Sequence, residues 1–122
     1  MNSSKRTYKM VDLSFLEKFT KGNTHKMKRY ISMYLDTAPE TFERMQQNIS
    51  DKSWPELAIN AHSLKPQAEF MGIGTLKELL IELENKVKSD QLEGMETLFT
   101  QAKGIHDESE KLLEDYLNET GN

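Results

Sequence analysis

The 122-residue chain has three histidines and no cysteine, which narrows the chemistry its side chains can do. With no thiol, disulfides, zinc thiolates and cysteine nucleophiles are excluded. His25, His62 and His106 stand at no i, i+3 or i+4 spacing from one another, and Glu-x-x-His does not occur. A di-metal site in a helical bundle therefore lacks its signature, and no metal or cofactor of the chain's own is expected. Asp107 and Glu108 beside His106 read as a solvated face. Gly72-Ile73-Gly74 is the nearest thing to a phosphate loop, but without the strand and helix that frame one it is a helix-terminating turn. Neither ATP binding nor kinase activity is expected. An all-helical chain also offers no strained nucleophile turn for a serine hydrolase. What remains is an imidazole placed to meet an anion.

His62 is the candidate. In the run from Asn60 to Gly72, Leu57, Ala61, Leu64, Ala68 and Met71 fall on one helical stripe. His62 lies roughly 140° from the centre of that stripe at about 100° per residue, so its ring should face solvent. Lys65, one turn on, can place positive charge beside an anion at the ring. Pro55, Ile59, Pro66 and Phe70 form a small apolar patch around the histidine, suited to docking a partner. Pro66 sits inside the helix, where it costs about 3 kcal/mol and leaves the His62 carbonyl without its intrahelical N–H. A costly residue beside an exposed histidine suggests a purpose. Ser63 points about 100° away from His62 and reads as neutral surface. Glu69, two turns on, reads as a surface charge or a partner contact. His25 and His106 read as incidental surface histidines.

The rest of the chain supplies the frame. One domain is expected from the length, with residues 1–9 as a loose polar arm and 10–122 as the folded unit. A net charge of −4 argues against a nucleic-acid partner. No apolar run suits a membrane span or a signal peptide, which fits a soluble cytoplasmic protein. Asp12 or Ser14 can cap a short helix that turns Phe15, Leu16 and Phe19 inward and stops at Gly22. Asn23 caps a long helix with apolar positions from Met27 to Ile49, bent but not ended by Pro39. Ser53 and Glu56 form a capping-box pattern ahead of the His62 helix, and Thr75 with Glu78 repeats it for the next. There Leu76, Leu79, Leu80, Leu83 and Val87 face inward. A last helix carries apolar residues from Leu92 to Leu117. The spacing predicts an all-α, antiparallel up-down-up-down four-helix bundle preceded by a short helix.

These residues also resemble a known family. Ala61-His62-Ser63-Leu64-Lys65, with Gly72 ten residues past the histidine and Leu83-Glu84 closing the next helix, is similar to a histidine-phosphotransfer (HPt) domain. The likeness covers nearly the whole chain. Leu13 to Asn23 resembles the family's entry helix and glycine turn, Pro39 stands where members often carry proline, and Ser53-Trp54-Pro55-Glu56-Leu57 resembles the lead-in to the active helix. One position departs: Pro66 replaces the glycine that follows the family's lysine and keeps the area beside the histidine open. The resemblance implies a phosphorelay intermediate, with His62 taking a phosphoryl group from a receiver-domain aspartate and passing it to another. It implies Lys65 as the charge-stabilising residue and Pro55, Ile59, Ser63, Pro66, Glu69 and Phe70 as partner contacts. The implied partners are receiver domains of response regulators or hybrid kinases, which would bring Mg²⁺. A stand-alone monomer is expected. The competing reading is a non-catalytic helical adaptor that binds through the same patch.

Overall fold

A computed structural model describes residues 10–119, so the expected arm at 1–9 lies outside the described residues. Five helices of the described residues build the fold: α1 (Ser14–Phe19), α2 (Thr24–Ser50), α3 (Trp54–Phe70), α4 (Gly74–Lys88) and α5 (Met95–Glu119). Short turns reverse the chain between the four long helices. Each packs on its neighbour in sequence, and α2 also packs against α5, which closes the antiparallel four-helix bundle that the spacing predicts. Among the described residues there is no strand, and no helix is long and apolar enough to cross a membrane.

The apolar stripes fill one core. On α3, Leu57, Ala61, Leu64 and Ala68 are fully buried, and Met71, just past its end, nearly so, as the periodicity requires. They meet Ile31, Ala38, Phe42 and Met45 of α2, with Leu76, Leu80 and Leu83 of α4, in a single cluster. Each large side chain fully buried here contributes about 1.5–3 kcal/mol, so α3 is held firmly from below. Both internal prolines are accommodated: α2 runs unbroken through Pro39 and α3 through Pro66.

Four expectations need correction. Phe15 and Phe19 do not turn inward; they are 55% and 56% exposed, and only Leu16 of α1 is buried. A helix of six residues presents too narrow a face to bury three large side chains. The two rings instead lie over Tyr30 and Phe70, with Phe19 5.7 Å from Tyr30 and 5.2 Å from Phe70. His106 is not a surface residue: it is 2% exposed and stacks 4.4 Å from Phe42, edge-on to Tyr34. It continues the buried series Phe99, Ala102, Ser109, Leu113 in phase. Burial pushes the imidazole below its ordinary pKa, which keeps it neutral in the core. The capping boxes are not formed. Asn23 does accept from the Lys26 N–H at 2.9 Å, but the Ser53 side chain makes no cap bond and Ile73, not Thr75, precedes α4.

The turn after α3 fixes how α1 meets the bundle. Gly72 has φ +74°, the left-handed region that suits glycine. Its carbonyl accepts from the Asp12 N–H at 2.9 Å, which ties the segment before α1 to the end of the His62 helix. A Cβ at Gly72 would overlap the Asp12 carbonyl. Gly72→Ala is therefore expected to destabilise the fold by at least about 2 kcal/mol, combining a strained dihedral with a backbone clash. Denaturant unfolding checks this, and Gly94→Ala, with open space around its Cβ, serves as the comparison for the dihedral cost alone.

Candidate functional site

The inward stripe of α3 fixes the opposite direction for His62, whose side chain is 68% exposed. The ring is held from one side. Its Nδ1 lies 3.0 Å from Oε2 of Glu84, a side chain only 6% exposed that reaches across from α4. Lys65 Nζ bonds the other oxygen, Oε1, at 2.8 Å, and that lysine side chain is 24% exposed. Lys88, one turn beyond Glu84 on α4, places its Nζ 3.0 Å from the oxygen that holds the histidine, and it is 65% exposed. One buried carboxylate thus collects an imidazole and two ammonium groups.

The charge state of Glu84 decides the state of the ring. Burial by itself would raise the carboxyl, but hydrogen bonds from Lys65 and Lys88, with their charges, outweigh it and bring the pKa down to about 2. At neutral pH Glu84 is ionised and can only accept. Nδ1 of His62 must then carry the proton that makes the bond. In the neutral ring the lone pair is left on Nε2, which has no hydrogen-bond partner among the described residues. The arrangement is a nucleophilic nitrogen facing water, fixed in tautomer and direction by a carboxylate below it.

The other expected residues gather around this centre. Pro55, Ser63 and Pro66 are exposed, Ile59 is 60% exposed, and Phe70 is half-buried in the aromatic cluster over α1. Glu69 pairs with Lys77 of α4 at 3.3 Å, so its charge is engaged away from the ring. Pro66 also lines a groove between α2 and α3 with Tyr30, Met33, Thr37, Gln67 and Phe70. Its volume is about 520 Å³. The helix that faces α3 across this groove is α2, and Met33, 54% exposed, is its most open apolar residue there.

Sequence reasoning did not assign a role to Glu84 or Lys88. The signal for Glu84 was present: it follows Leu76 and Leu80 at intervals of four, so a charged residue occupies the buried stripe of α4. Lys88 then follows from the i, i+4 rule. His106, Asp107 and Glu110 form a second titratable group, with ligand atoms within 4.8 Å of one another. Lys103 already holds both Asp107 oxygens, at 2.9 and 3.1 Å.

Residues 29–121 match the family model described as the Hpt domain, which covers most of the chain and includes every residue of the His62 cluster. No curated protein and no solved structure matches the chain.

Two consequences follow from the buried carboxylate. Its folded pKa is lowered from 4.5 to about 2, so its stabilising contribution is present above pH 4.5 and is lost as pH falls toward 2. The depth of that loss is about 3 kcal/mol, and it is expected as a component of acid unfolding that Glu84→Gln lacks. Lys65→Met leaves a buried charge without its main partner and is expected to cost about 3 kcal/mol. Adding Glu84→Gln to Lys65→Met should recover most of that loss in the same unfolding measurement.

Proposed function

The chain belongs to the Hpt domain family and serves histidine phosphotransfer between receiver-domain aspartates in two-component signalling; within it, we propose that His62 is the phosphoacceptor. The observation that carries this reading is the pairing of an ionised Glu84 with Nδ1, which leaves Nε2 as the open nucleophile. The Nε2 lone pair attacks phosphorus, the P–O bond of the aspartyl phosphate breaks, and its electron pair leaves on the aspartate oxygen. The Nδ1 proton stays in its bond to Glu84 throughout. The ring becomes an imidazolium that bears the phosphoryl group, and transfer to a second aspartate is the same step reversed.

Because no proton has to move, the catalytic task is alignment and charge balance. α3 supplies the alignment, since its buried face fixes the height and direction of the ring. Lys65 contributes positive charge from its place on Glu84, and the receiver brings Mg²⁺ with its own acidic residues. The docking surface is the exposed side of α3, with Pro55, Ile59, Ser63, Pro66, Glu69 and Phe70, extended into the groove against α2. Phe15, Phe19 and Met33 enlarge it beyond the patch legible in the sequence. An apolar area of modest size with charged edges suits a partner that must leave after each transfer. Residues 10–122 act as one unit in this reading, a monomer in the cytoplasm, with receivers of response regulators or hybrid kinases as partners.

His62→Gln separates phosphotransfer from simple adaptor binding. Incubated with a phosphorylated receiver domain, the parent is expected to take up acid-labile, alkali-stable label. The variant should take up none while still binding the receiver, because the docking surface is intact. Equal labelling of the two proteins would overturn the assignment of His62.

A further inference from the structure

On the reading that His62 is the acceptor, we propose that Lys88, rather than Lys65, is the ammonium that closes on the phosphoryl group. Two lysines share one carboxylate, and they are not equivalent. Lys65 is three-quarters covered and makes the shortest contact, to an oxygen it shares with no other group. Glu84 is buried, and withdrawing its covered counter-ion would leave a charge in the core. Lys65 is thereby committed to the interior. Lys88 is 65% exposed, at the solvent edge of the cluster, where exchanging one oxygen partner for another costs little.

Geometry keeps this lysine within reach of the ring. Lys88 Nζ and His62 Nδ1 each lie 3.0 Å from Glu84 Oε2. They are therefore no further apart than twice that distance, before any movement of a flexible side chain. The charge count agrees. With Glu84 balanced by Lys65, the positive charge of Lys88 is the surplus of the cluster. When Nε2–P forms and the aspartyl P–O bond breaks, the phosphoryl group brings two negative charges and the ring gains one positive. Lys88 moves from Glu84 Oε2 to a phosphoryl oxygen, and the phosphorylated cluster is neutral as a whole. Glu84 Oε2 is left to the Nδ1 proton alone. The titratable groups facing the ring in this scheme are Glu84 and Lys88 from α4 and Lys65 from α3.

The test compares Lys88→Gln and Lys88→Arg with the parent, using two donors. Phosphoramidate has no docking surface, whereas a phosphorylated receiver domain must dock. Lys88→Gln is expected to slow initial labelling of His62 about tenfold with both donors, the worth of one charge-assisted contact in the transition state. Its melting temperature should fall only slightly, because His62 still donates to Oε2 and an exposed ion pair contributes little, and Lys88→Arg should keep most of the rate. In a Glu84→Gln background the Lys88→Gln loss should persist, because the contact is to the phosphoryl group. Unchanged rates with both donors would overturn the proposal. So would a loss confined to the receiver donor, which would make Lys88 a docking contact. Disappearance of the effect in the Glu84→Gln background would reassign Lys88 to holding the carboxylate, and would also overturn it. Label on His62→Gln would instead refute the acceptor assignment, so the two failures are distinct.

Discussion

An ionised carboxylate buried between two helices must be compensated where it lies, and the compensation of Glu84 organises the site. Its own desolvation is unfavourable, so the side chain is stable only with donors close on both oxygens. Lys65 from α3 and Lys88 from α4 supply them, and His62 completes the set. The carboxylate therefore joins the two helices, fixes the imidazole tautomer and gathers two ammonium groups beside the ring. A glutamine in its place could orient the ring, but it could not anchor a lysine in the interior. The local electrostatics and the chemistry have one origin.

α3 does two jobs on opposite sides. Its inner stripe is as deeply buried as any in the protein, while Ile59, Pro55 and Pro66 leave apolar surface on the outside. An ordinary surface helix is polar on its outer face. The weak segregation on α3 thus comes from apolar side chains that stand on both of its faces. Pro66 bears on both the helix and its outer surface. The helix runs through it without a break, so the loss of one backbone hydrogen bond at His62 is tolerated because packing, not that bond, holds the helix. Its ring then forms one wall of the groove against α2.

His62 and His106 show how surroundings decide what an imidazole can do. One stands in water with a carboxylate on Nδ1 and an open Nε2; the other is flattened against Phe42 with no approach for a partner. His62 was legible because its angle from a clear apolar stripe put it outside. His106 was misread because the apolar pattern was followed through Ile105 and Leu112, although His106 itself sits in phase with Ala102 and Leu113. The same habit hid Glu84. A polar residue on a buried stripe is easily passed over when only apolar letters are counted.

The helices, their order and the direction of His62 were determined by the sequence alone, because side-chain period and turn residues are local properties that need no knowledge of neighbours. Lys65 was also legible, since it lies one turn from the histidine on the same helix. Only the tertiary structure decided that α4 places Glu84 beneath the ring, that Lys88 joins it, and that α1 spreads Phe15 and Phe19 over the surface. Those contacts join residues distant in the chain, and their geometry depends on how two helices rotate and slide against each other. No periodicity within one segment records that, because the burial of each face fixes which side meets the neighbour but not which residue faces which.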